Sequence, residues 1–176
     1  MSNIVIKHFD IEKIIKTSRD IYNIIRPRDN IYEDRKPSEL CGACCLGQSV
    51  LYWSAKLYGV PPECVRLLNS AYFVKGASHG FVLLILDKIY LCDLTFSQFV
   101  ESDDELGNLI GLYKKGYTEI SESVIINFLC YTSRPINLEP IKSSGNFLEQ
   151  VISHSSDIVE HSSSELKLYK LPPLEN

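Results

Sequence analysis

No apolar run approaches the roughly 20 residues needed to cross a bilayer as a helix; the longest, Phe81 to Leu86, is strand-sized. Lys and Arg form no stripe or cluster, and the formal net charge is −4, so neither a nucleic-acid footprint nor a membrane span is expected. The first residues lack the basic-then-apolar layout of a secretory signal, because Met1 to His8 is short and is followed at once by charges. The expectation is a protein made in the cytoplasm. Export by a specialised system that ignores classical signals, into a target cell, is compatible with this layout. There is no internal repeat.

What is present reads as an ordinary globular chain. Its 176 residues suit one domain with a real core, and 45% hydrophobic with 23% charged residues argue against disorder. Six cysteines occur, at 41, 44, 45, 64, 92 and 130. Without a signal, in a chain this large, they read as reduced thiols rather than as a disulfide framework.

Isoleucines at 11, 14, 15, 21, 24 and 25 follow helical spacing, with Asp10 as N-cap and Pro27 past the end. Residues 26–40 are charged and carry two prolines, a surface connection. Leu46, Val50, Trp53 and Leu57 recur at a helical period that Gly59-Val60-Pro61-Pro62 stops, which predicts a helix from about Cys44 to Tyr58 with the cysteine cluster at its start. A short helix is expected over Pro62 to Asn69. Residues 80–86 and 89–94, separated by Asp87-Lys88, predict a hairpin of two buried strands. Ser121 is placed to cap a helix through Val124, Ile125, Phe128 and Leu129. A short helix around Phe147 to Ile152 within the serine-rich residues 143–164, and a last strand over 166–171, complete the expectation.

Chemistry concentrates around one thiol. A thiol attacks as thiolate, and its ordinary pKa of about 8.5 keeps it mostly protonated at neutral pH. A helix N-terminus and a neighbouring imidazolium both lower that value. Cys44 is placed for the first and His79 for the second. Asp93, on the partner strand, is placed to fix the imidazole tautomer and stabilise its charge. Strand geometry gives a condition. A two-residue turn at Asp87-Lys88 pairs His79 with Phe96 and leaves Asp93 on the opposite face, a slip of ~10 Å. A three-residue turn or one bulge pairs His79 with Thr95 and puts Asp93 on the same face, diagonally ~7–8 Å away. The triad therefore requires an irregular hairpin.

The segment Cys41-Gly42-Ala43-Cys44-Cys45 opening a helix resembles the nucleophile segment of papain-like cysteine enzymes. His79-Gly80-Phe81-Val82, and then Leu91-Cys92-Asp93-Leu94-Thr95-Phe96-Ser97-Gln98-Phe99, look like the His and Asp strands of papain-like and transglutaminase-like toxin domains. The stretch from Leu112 to Ile120 is similar to the segment after the Asp strand in those domains. In size and order the chain is most similar to the dermonecrotic-toxin papain-like group of glutamine deamidases, with 35 residues from Cys to His and 14 from His to Asp. The resemblance covers residues 40–130. It departs from papain-like proteases at Pro37-Ser38-Glu39-Leu40, where those carry an oxyanion glutamine.

The resemblance implies an α+β fold with a papain-like/transglutaminase-like core, its nucleophile helix packed on an antiparallel sheet. It implies one catalytic domain over 1–176: an N-terminal helical segment (1–39), the core (40–130) and a C-terminal extension (131–176). The expected activity is a cysteine hydrolase with Cys44, His79 and Asp93 as triad, deamidating glutamine on a host or rival-cell protein as a bacterial effector or toxin. No metal or cofactor is required. Protease, transglutaminase or other acyltransferase activity of the same fold is the alternative; a zinc-stabilised or catalytically inert binding module is one from another class. Cys41 and Cys45 are rival nucleophiles; Cys44 is preferred because Gly42 precedes it at the family spacing. Cys41 and Cys44 also form a C-x-x-C pair, half a zinc site if joined by Cys64, Cys92 or His79. Otherwise Cys45, Cys64, Cys92 and Cys130 read as small buried apolar residues. Thr95 and Gln98 read as braces of the Asp strand, Trp53 as core, and His8, His154 and His161 as surface.

Overall fold

Helix α1 (Ile11–Ile25) starts where the sequence places its cap: Asp10 Oδ1 accepts the Lys13 N–H at 3.2 Å. Its isoleucine stripe buries Ile14, Ile15 and Ile21 with Tyr22. Helix α2 (Cys44–Leu57) ends in a Schellman arrangement, the Val60 N–H on Ala55 O and the Gly59 N–H on Lys56 O. Gly59 has a φ of 75°, which a side chain would disfavour. The computed structural model describes residues 8–27, 43–69, 79–100 and 106–132. The surface connection over 28–40, Cys41, the serine-rich part with its short helix, the last strand, His154 and His161 lie outside them.

The described residues form an α+β structure of four α-helices and a four-stranded antiparallel sheet in the order β1-β2-β3-β4. These strands are β1 (Val65–Asn69), β2 (Gly80–Ile85), β3 (Ile89–Cys92) and β4 (Tyr117–Glu119). The expected helix over Pro62 to Asn69 is corrected: a single 3-10 turn, Pro62–Cys64, leads directly into β1. The segment is too short to hold a helix on local propensity, and the β2 edge offers a full ladder from Val65 opposite Leu84 to Asn69 opposite Gly80.

The sheet is covered on both faces, which explains why β2 is an unbroken apolar run instead of an alternating one. Val82 and Leu84 join Val65, Leu67 and Cys92 against α1 and α2. Phe81 and Leu83 join Leu68 and Leu91 against Phe96, Leu109, Leu112 and the last described helix. That helix, α4 (Glu122–Thr132), is capped by Ser121, whose Oγ accepts the Val124 N–H, and it buries Val124, Ile125, Phe128 and Leu129. Between them, α3 (Ile110–Lys115) is closed by Gly116 at a φ of 79° and turns into β4. Trp53 is half-buried against the first core, and His8 is exposed. Among the described residues, no helix is long and apolar enough to cross a membrane.

Candidate active site

The β2–β3 hairpin has the irregular turn that the triad requires. Ile85 pairs with Ile89, so three residues, Leu86 to Lys88, make the connection, and Val82 falls opposite Cys92. Continued past the end of the ladder, that register puts His79 opposite Thr95 and brings Asp93 onto the same face. The two side chains meet there: His79 Nε2 lies 2.6 Å from Asp93 Oδ2. A carboxylate only accepts, so Nε2 carries the proton. Both residues are buried, with 1% and 3% of their surface exposed, which makes this contact a desolvated one.

Asp93 is held from its other oxygen. Oδ1 accepts the Thr95 N–H at 2.8 Å and the Thr95 hydroxyl at 3.0 Å, while the Asp93 N–H donates to Gly116 O. The αL turn after α3 thus anchors the end of β3. Gln98, in the 3-10 turn Phe96–Phe99, places Nε2 at 3.2 Å from Thr95 Oγ1 and 3.3 Å from His79 Nδ1. Phe99 packs edge-on to the imidazole, and Phe128 tilts against it. Sequence reasoning expects Thr95 and Gln98 to brace the strand. They do, and Gln98 also reaches the imidazole itself.

Cys44 is the first residue of α2, where the helix dipole favours negative charge, and the residue before it, Ala43, makes no side-chain cap bond. The thiol hydrogen-bonds with the His79 imidazole and accepts from the Gly80 backbone N–H. Burial disfavours the thiolate, but these contacts outweigh it and hold the Cys44 pKa below the ordinary thiol value. For His79 burial likewise opposes charge, yet the Asp93 carboxylate, with help from Cys44, pushes the imidazole up to about 9. The two shifts agree in sense: each favours the charged form of its group.

Two residues that the sequence does not flag set this meeting. Gln48, one turn after Cys44 on the same face of α2, sends both hydrogens of its amide across the sheet, to Leu68 O at 2.7 Å and Phe81 O at 2.9 Å. It passes over Gly80, where an added Cβ would collide with Gln48 Oε1. A glycine directly after His79 therefore lets the nucleophile helix dock on the strand that ends at the imidazole. The legible signal is a lone glutamine at i+4 from the cysteine on an otherwise apolar face.

The remaining cysteines differ in burial and in chemistry. Cys92 is buried and its thiol is pushed far up by burial and the adjacent Asp93 charge. Cys45 and Cys130 are exposed and Cys64 is half-buried, which corrects the expectation that all four are interior. The cause for Cys45 is its rotation of about 100° around α2 from Cys44, which turns it away from the sheet. Cys130 lies on the outer side of α4. Among the described residues, no group of three or more His, Cys, Asp or Glu is arranged to hold a metal ion. The C-x-x-C reading involves Cys41, outside those residues.

So the structure pairs His79 with Asp93 and sets the Cys44 thiol beside the same imidazole. No protein-family model matches the chain, and no curated protein or solved structure is detectably similar to it.

Proposed function

We propose that this protein is a thiol-dependent acyl-transfer enzyme with a papain-like or transglutaminase-like core, acting on a glutamine carboxamide of another protein, as an effector or toxin would. The observation that carries the reading is a buried imidazole between a twice-anchored carboxylate and the Cys44 thiol at a helix start. Structural histidines seldom combine a buried aspartate on one nitrogen with a thiol at a helix start.

In this reading the Cys44 thiolate attacks the carboxamide carbon, and the oxyanion is met by first-turn N–H groups of α2. The C–N bond breaks as His79 gives its proton to the departing ammonia. Water, deprotonated by the same imidazole, then hydrolyses the thioester, leaving a glutamate and the free thiol. Asp93 keeps Nε2 protonated and stabilises the positive charge of the imidazolium each time it forms.

The test is mass spectrometry of cell-lysate proteins incubated with the unmodified protein and with Cys44→Ser. Glutamines heavier by about one mass unit, appearing only with the unmodified protein, are the expected result. New chain termini would redirect the reading to proteolysis, and lysine crosslinks to transglutamination. No Cys44-dependent change of any kind would remove the enzymatic reading.

A further inference from the structure

Asp93 solves one problem at the imidazole and creates another. A residue that must take a proton from sulfur and later return it to a leaving nitrogen works best when its proton affinity lies near the working pH. A buried carboxylate at 2.6 Å pulls it well above that. The other ring nitrogen is where this can be countered.

The identity of the amide atom that faces Nδ1 follows from a proton count. Asp93 Oδ1 can only accept, so the Thr95 hydroxyl spends its single proton there. Thr95 Oγ1 is then left with lone pairs toward Gln98, and the Gln98 atom at 3.2 Å must be the donor, Nε2. The same NH2 group lies 3.3 Å from His79 Nδ1. With Nε2 held by Asp93, Nδ1 is also the nitrogen that exchanges a proton with Cys44; the second amide hydrogen competes for its lone pair when it is unprotonated and opposes an Nδ1 that carries a proton.

We infer that Gln98 is a positioning residue that donates an amide N–H to Nδ1 of His79 and so favours the neutral imidazole against the pull of Asp93. The chain Asp93–Thr95–Gln98–His79 closes on itself: one carboxylate raises the basicity of the ring through Nε2 and, by orienting Thr95, aims the group that restrains it at Nδ1. Among the described residues, the titratable groups that act on His79 are Asp93 at the end of β3 and Cys44 on α2; the rings of Phe99 and Phe128 against it carry no charge. The inference rests on the triad reading, but its test needs no turnover.

The experiment is a nitrogen-15 NMR titration of the His79 imidazole in a Cys44→Ala background, which removes the coupled thiol, with and without Gln98→Leu. Loss of a neutral donor to Nδ1 raises the imidazole pKa by about one pH unit, the size set by one net hydrogen bond. Gln98→Glu raises it further, because a carboxylate replaces the amide. A purely bracing role predicts the reverse: loosening Thr95 and Asp93 lets the value fall toward the ordinary histidine range. An unchanged or lowered pKa in Gln98→Leu overturns the inference. Should that variant not fold, Gln98→Met, equally neutral and without a donor, is read against the same criterion. The Cys44→Ala protein alone gives a further reading: above its titration Nδ1 must show an acceptor shift coupled to a Gln98 amide proton, and a protonated Nδ1 there overturns the inference. A restrained imidazole without Cys44-dependent chemistry would sink the proposed function alone; an active protein with an unmoved imidazole would sink this inference alone.

Discussion

Two ion pairs of the same length sit at opposite ends of the β2–β3 hairpin. At the turn, Lys88 Nζ meets Glu119 Oε2 at 2.6 Å, with both side chains more than half exposed. At the open end His79 meets Asp93, also at 2.6 Å, with 2% of each side chain exposed. Distance does not separate them. Water does: an exposed pair is screened and its ends are well solvated alone, whereas a buried one has no other partner to turn to. The first decorates the fold, and the second holds a charge where solvent cannot.

The contrast is sharpest under truncation. Asp93→Ala strands a buried imidazole and should cost about 3–5 kcal/mol in urea denaturation. The same change should lower any Cys44-dependent turnover on the order of 10³-fold or more, measured against a stability-matched control. A loss no larger than that of an exposed residue would put the two pairs in one class.

Next comes the docking of α2. Gly80→Ala drives a methyl into Gln48 and should cost about 1–3 kcal/mol as overpacking, slowing Cys44 alkylation as the sulfur moves off the imidazole. Combining it with Gln48→Ala should cost less than the sum of the single changes, because the clash is gone. Strict additivity would mean that the helix is placed by something else.

The pH dependence of stability gives a smaller effect with a definite sign. The folded His79 value lies near 9, above its ordinary 6.5, so its contribution is complete below about 6.5, shrinks as pH rises, and is gone above about 9. Cys44 runs the other way: its folded value is lowered, so its contribution exists above the ordinary thiol value and is lost as pH falls through the folded one. Denaturation midpoints of the unmodified protein and Asp93→Ala should therefore converge toward alkaline pH. Smallest of all, Lys88→Ala should leave the melting temperature and its salt dependence almost unchanged by calorimetry.

Much of this is legible in the residues alone, for physical reasons that can be named. Asp10, Gly59 and Ser121 announce helix ends through backbone chemistry that depends only on neighbours in sequence. The three-residue turn can be required from the strand period alone, because a side chain on the wrong face cannot be rescued. Val65 to Asn69 misleads because its strand exists by virtue of β2, a partner that local pattern does not reveal. Gln48 and Gly80 escape notice for the same reason: each is ordinary alone, and their meaning lies in one crossing over the other. The exposed Cys45 and Cys130 show that composition ranks burial on average, while the facing of a helix decides each case.

The central claim is that the Cys44 sulfur is ionised by the imidazole beside it, and its most direct test is the pH profile of iodoacetamide alkylation, resolved by peptide mass spectrometry. Cys44 should be carbamidomethylated with a midpoint below the ordinary thiol range, and His79→Ala should return that midpoint to the range or above it. A Cys44 that titrates like an unperturbed thiol, indifferent to His79, would contradict the account.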